Sequence, residues 1–145
     1  MLQTELASSR INPAGLIFEI TETAAVEDMA AARALMEKVI ALGCAFSLDD
    51  FGVGFASFDY LKQLPVEYVK IDGSFIRNLA TNTDDQLFVK ALVQAAHGFG
   101  KKIVAEFVEN AEIVQMLRDY GVDYAQGYHI GRPDPVFGWA GRLTR

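Results

Sequence analysis

Four short strand-like segments of this chain end in carboxylates and a fifth ends in an amide. They are LIFEITE with Glu19 and Glu22, AFSLDDFGVG with Asp49 and Asp50, YVKID with Lys70 and Asp72, IVAEFVE with Glu106 and Glu109, and YAQGY with Gln126. In a parallel α/β architecture the carboxyl ends of the strands converge on one rim, where such folds place their chemistry. Functional groups from distant stretches of sequence are therefore expected in one acidic pocket that attracts metal ions.

Helical patterns fill the intervals. Residues from about Leu2 to Ser9 read as the tail of a helix, closed by Asn12 and Pro13. From Val26 to Leu42, Met29, Met36, Val39 and Ile40 recur at helical spacing, and Gly43 supplies a left-handed end. Ser57 to Leu64 is a shorter helix stopped by Pro65. Thr83 to Phe99 is another, with Leu87, Phe88, Ala91, Leu92 and Ala95 as its expected buried stripe, and the last runs from Asn110 to Tyr120. Helix, glycine, strand and polar terminus recur at Gly43 to Asp49, Gly100 to Glu106 and Gly121 to Gln126, which predicts parallel strands joined by right-handed crossovers.

Alternation along each strand decides which side chains share a face. If Leu16, Phe18 and Ile20 pack against helices, then Ile17, Glu19 and Thr21 face the other way. The same parity groups Ser47 and Asp49, Tyr68, Lys70 and Asp72, Val104 and Glu106, and Tyr124 and Gln126. A barrel-like wall with a polar upper layer accommodates these groups, because burying them without partners costs several kcal/mol each. Five strands do not close a barrel of eight, and a (β/α)₈ barrel takes about 250 residues. The expected fold is an incomplete TIM-like (β/α) barrel, open on two edges that a second copy would cover.

Composition narrows the function classes. With 145 residues, 51% of them hydrophobic, the chain can bury one core of ordinary domain size. A net charge of −6 argues against a DNA or RNA backbone binder, which needs a basic face. Cys44 is the single cysteine, so no internal disulfide can form, and its place at the start of a strand predicts a buried thiol. No apolar run approaches the roughly 20 residues that span a bilayer, and MLQTELASSR lacks the blocks of a signal peptide. A cytoplasmic location is expected.

Taken in order, EITE, DDFGVG, VKID, AEFVE and QGYHIGRP resemble the later part of an EAL domain, the family that hydrolyses the bacterial messenger cyclic di-GMP. The resemblance covers Ile11 to Pro135 and implies a TIM-like barrel, usually dimeric, that uses Mg²⁺ or Mn²⁺ to open one phosphodiester and release linear pGpG. By position, Glu19, Asp49, Asp50 and Glu106 are similar to the family's metal-site carboxylates. Lys70 resembles the lysine that steadies the attacking water and phosphate, while Glu109 and Gln126 match further active-site positions. Asp72 is a candidate substrate contact, and Glu22 resembles the residue that anchors the loop from Asp50 to Gly54. The chemistry suits those residue types: hard cations take oxygen ligands, and two ions about 3.5 to 4 Å apart can share a carboxylate.

The resemblance has gaps. The Glu-Ala-Leu tripeptide with its metal-binding glutamate, and the following strand with its asparagine, are absent, so residues 1–145 read as a partial EAL domain, fragment or degenerate gene product, with an incomplete two-ion site. Attachment to further signalling domains is expected. Phe107 replaces the usual glycine and by alternation points outward to the helices, and Val53 stands where threonine is common. Three functions follow: a cyclic di-GMP phosphodiesterase domain, inactive as this fragment; a non-catalytic cyclic di-GMP receptor or protein-interaction module; and an enolase-like enzyme with Lys70 as base, whose usual paired lysines are lacking. Asp72 equally suits a helix cap and Glu109 a helix N-terminus. His97 reads as structural or exposed, and His129 follows QGY closely enough to line the pocket without a second histidine at ligand spacing. Trp139 and the tail GWAGRLTR read as a packed final helix or its fraying end.

Overall fold

Each crossover of this chain is closed by a residue suited to stopping or starting a helix, and that punctuation sets the strands side by side. The computed structural model describes residues 2–9, 11–54 and 57–133. Helix α1 spans Leu2–Ser8, and after a 3₁₀ turn at Pro13–Gly15 capped by Asn12 the first strand, β1, runs Ile17–Thr21. Thr21 caps α2 (Glu22–Glu27), which leads into α3 (Met29–Ile40) and β2 (Ala45–Phe51). Then come α4 (Phe58–Gln63), β3 (Tyr68–Ile71), α5 (Gly73–Arg77), α6 (Thr83–Gly98), β4 (Lys102–Ala105), α7 (Ala111–Tyr120) and β5 (Tyr124–Ala125). The five strands form one parallel sheet in the order β1-β2-β3-β4-β5, which is not closed among the described residues. The predicted open, barrel-like architecture is what the chain adopts. The tail from Asp134, with Trp139 and the end of the family resemblance at Pro135, lies outside the described residues.

One face of the sheet carries the core. Phe46, Leu48, Val69, Ile71, Ile103 and Ala105 point to the helices and meet Met36, Leu61, Leu64, Ile76, Leu92 and Leu117, all buried. Each such leucine or isoleucine contributes about 1.5–3 kcal/mol relative to exposure. Cys44 is buried in the same layer, as expected. The opposite face follows the predicted parity: Ile17, Glu19, Ser47, Tyr68, Lys70, Val104, Tyr124 and Gln126 line one concavity of about 310 Å³.

Two helical expectations are corrected. The segment from Val26 to Leu42 is not one helix: Asp28 leaves helical geometry at φ −144, ψ 82, and its carboxylate accepts from the backbone N–H of Ala31 to start α3 afresh. On α6 the buried residues are Val89, Leu92, Val93 and Ala96, while Leu87 is 69% exposed and Ala91 is exposed as well. The apolar arc of this helix is wide enough to offer two overlapping stripes, and packing selects the one turned by a residue. Among the described residues no helix is long and apolar enough to cross a membrane.

Candidate active site

The acidic rim is built by a local irregularity in β2. Leu48 pairs with Val69 and Phe51 with Ile71, so β2 spends one residue more than β3 over the same stretch. That bulge falls on Asp49–Asp50, and Asp50 adopts a left-handed φ of 55 that aspartate tolerates better than most residues. The Asp50 N–H donates to Asp49 Oδ1 at 3.0 Å. An undistorted strand sends adjacent side chains to opposite faces; the bulge keeps both carboxylates on the rim.

Lys70 is the centre of the cluster. Its Nζ lies 2.9 Å from Glu106 Oε1, 3.1 Å from Glu19 Oε1 and 3.2 Å from Asp49 Oδ1. Gln126 Nε2 donates to the same Glu106 oxygen at 2.7 Å. Oxygens of Asp49, Asp50 and Glu106 come within 4.8 Å of one another, a set that can hold a cation. Glu19 stays outside that set and spends its carboxylate on Lys70, with its side chain 52% exposed.

The charges follow from this geometry. Burial alone would draw the Lys70 ammonium down, but its hydrogen bonds to Glu106, Glu19 and Asp49 outweigh burial and hold it well above the ordinary lysine range. Burial raises Glu106 above an ordinary glutamate despite Lys70, and Asp49 and Asp50 add to the rise. Asp50 is raised by desolvation, then by its neighbours Asp49 and Asp72. The cluster holds more carboxylate than one ammonium can neutralise.

The other expected residues divide. Glu22, at the start of α2 and 2% exposed, accepts from the N–H groups of Gly52 at 3.1 Å and Gly54 at 3.3 Å, two residues of the stretch after Asp50. Asp72 caps α5 through the N–H of Ser74 at 2.8 Å. Glu109 lines a cavity of about 730 Å³ that opens beside Glu106 and Gln126. His129 is not among its lining residues; Tyr128 and Ile130 are. His97 pairs with Asp123 at 2.8 Å, away from the rim.

Phe107 departs from the outward orientation that alternation predicts. At φ 54 it has left the strand, 45% of it is exposed, and its ring packs on Gly73 and under the Arg77 guanidinium, 4.3 Å from the ring centroid. It walls the same cavity, as do Arg77, Tyr128 and Arg132, three residues that sequence reasoning passed over. Arg77 ends α5 and carries no motif of its own; only the glycine usual at position 107 hinted at a left-handed backbone there.

Known proteins resemble this chain in sequence and in fold. A family model described as "EAL domain" matches residues 1–133. Over 119 residues the chain is 50% identical to cyclic di-GMP phosphodiesterase PdeB of Shewanella oneidensis, covering 82% of this chain and 14% of that protein. It is 41% identical over 131 residues to cyclic di-GMP phosphodiesterase PdeF of Escherichia coli, covering 90% of this chain and 18% of that protein. The chain thus spans less than a fifth of the length of these two relatives. The FimX EAL domain from Pseudomonas aeruginosa bound to c-di-GMP superposes with a TM-score of 0.87 at 32% identity, over 93% of this chain and 55% of that one. A structure of the PaMucR phosphodiesterase in complex with c-di-GMP gives the same TM-score at 38% identity, over 93% of this chain and 55% of that one.

Proposed function

The chain belongs to the EAL domain family, and from that membership we propose that it is the cyclic di-GMP-binding, metal-holding part of a phosphodiesterase that hydrolyses cyclic di-GMP to linear pGpG. The observation that supports this most directly is Lys70 held by Glu19, Asp49 and Glu106 at the rim of a parallel sheet, with Asp50 and Gln126 beside them.

The family is metal-dependent in general, and the donor set fits a hard divalent cation: carboxylate oxygens converge, and their charge exceeds what Lys70 offsets. Asp49, Asp50 and Glu106 would hold Mg²⁺ or Mn²⁺, with Glu19 able to join once released from Lys70. When bound, such an ion polarises a phosphoryl oxygen and activates water. The protein's own groups do the rest. Lys70 stays protonated and presents fixed positive charge where negative charge grows in the transition state. Gln126 orients Glu106 by bonding one of its oxygens. Without cations the acid excess repels a phosphodiester, so the pocket is selective for the metal-bound state. Glu109 and Asp72 are the proposed substrate contacts, and Glu22 sets the loop that carries Asp50.

The 145-residue chain is expected to bind cyclic di-GMP and to hydrolyse it poorly in Mn²⁺, because fewer ligands hold an ion less tightly and less rigidly. Calorimetric titration beside a pGpG assay checks both. Binding without any turnover, even in a longer protein carrying this segment, turns the reading to a receptor; no binding in either ends it. In an active longer protein, Asp49→Ala or Glu106→Ala should each abolish turnover.

A further inference from the structure

We propose that Phe107 is a ligand-contacting specificity residue: its ring forms the stacking wall for a purine base in the cavity beside Glu106, and it holds Arg77 to read the edge of that base. This rests on the reading of the site as a cyclic di-GMP pocket.

The backbone supplies the first reason. A non-glycine residue at φ 54 costs about 1–2 kcal/mol, and 45% of Phe107 remains exposed. An apolar ring held in an unfavourable conformation and left nearly half in water, on the wall of a cavity, points to a contact with ligand. The chain also accommodates it elsewhere. Gly73 lies under the ring, and any Cβ at position 73 would run into Phe107 Cγ.

The second reason is the company the ring keeps. Arg77 stacks on Phe107 at 4.3 Å, and Arg132 stacks on Tyr128 at 4.7 Å, so two aromatic and guanidinium pairs wall one cavity. The lining of this cavity combines the carboxylates of Glu106 and Glu109 with these aromatic rings and guanidinium groups. Such a lining suits a ligand that carries a phosphodiester, met through a cation held by the carboxylates, and a flat heteroaromatic base. Base stacking on an aromatic side chain is strong and tolerates any base. A guanidinium fixed by stacking keeps its in-plane N–H donors for base acceptors, and O6 and N7 of guanine present two side by side.

The test is calorimetric titration of the full 145-residue chain with cyclic di-GMP in Mn²⁺, where this chain is expected to hydrolyse it poorly, and separately with Mn²⁺ alone. Phe107→Gly suits the left-handed backbone, so it keeps the fold. Phe107→Leu keeps bulk without a π face, and Phe107→Tyr keeps the ring. Cyclic di-GMP affinity is expected to fall about tenfold in Phe107→Gly and Phe107→Leu and to stay within about twofold in Phe107→Tyr. Mn²⁺ affinity should be the same in all four proteins. Wild-type affinity in Phe107→Gly, or in Phe107→Leu, overturns the stacking role while leaving the site assignment standing. A parallel loss of Mn²⁺ binding also overturns it, since the effect would then pass through the carboxylates. If the wild type binds no cyclic di-GMP, the site assignment itself fails and the base wall fails with it.

Discussion

Lys70 is the residue around which the carboxylates of the site gather. It sits nearly buried among Glu19, Asp49 and Glu106, and removing one partner of such a group strands the others. Lys70→Met should destabilise the protein by about 3 kcal/mol at neutral pH in EDTA, with Mn²⁺ recovering part of the loss by taking over the carboxylates; urea unfolding with and without the ion measures both. A second residue-level test concerns Gly73. Gly73→Ala places a methyl against the Phe107 ring and should cost about 1–3 kcal/mol, yet cost much less in a Phe107→Gly background. Equal costs in the two backgrounds would show that the ring does not rest on Gly73. Of the residues in these pairs, Lys70 was legible in the sequence because VKID ends a strand in a charged pair. Phe107 and Gly73 were not, because their contact depends on a left-handed backbone that alternation along a strand does not anticipate.

The elements are held at their ends as much as by their faces. Lys101, buried just before β4, donates to the carbonyls of Leu64 and Val66 at 2.7 and 3.0 Å, tying the end of α4 to the start of β3, and burial lowers its pKa. Lys101→Met leaves those two carbonyls without the ammonium and is expected to cost about 2 kcal/mol in chemical denaturation. Asp123, before β5, accepts from the Ile103 N–H and from His97, both at 2.8 Å. Partial burial raises its pKa, but the bonds from His97 and Ile103 prevail and hold it below the ordinary aspartate value. A lowered carboxylate contributes stability that is present above the unfolded value of 3.8 and is lost as pH falls through the folded one. The acid limb of the stability profile should therefore flatten in Asp123→Asn between about pH 4 and 2. A profile unchanged by that substitution would place the acid sensitivity elsewhere. Element type and order could be read from glycine punctuation and apolar runs, and the shared inner face from strand parity. The break at Asp28 was missed because the surrounding alanines and methionines favour helix on both sides of it. The stripe on α6 was misplaced because Leu87, Phe88 and Ala91 extend its apolar arc beyond what the sheet covers. The bulge at Asp49–Asp50 left no sequence trace beyond the paired aspartates.

At the scale of the whole molecule, the sheet exposes both edges and a half-apolar concavity. Ile17 and Tyr124, each 49% exposed, flank the concave face near β1 and β5, which have no further strand beside them among the described residues. Unpaired parallel edges and exposed apolar side chains favour association. The 145-residue chain is expected to sediment as concentration-dependent oligomers, and Ile17→Lys should shift it toward monomer; a stable monomer at high concentration would show that the edges are self-protected. The strand order carries a different consequence. Every strand after the first pairs with the one that precedes it in the chain, so the order of the sheet is the order of synthesis. Along the chain the carboxylates of β1 and β2 come first, Lys70 next, and Glu106 after it. Gln126 arrives last of all. The pocket is thus an ordered object as well as a shaped one: every carboxylate that could hold a cation precedes Tyr124 in the chain, while the amide that bonds Glu106 follows it, and a chain ending before Tyr124 is expected to lose that amide and keep those carboxylates.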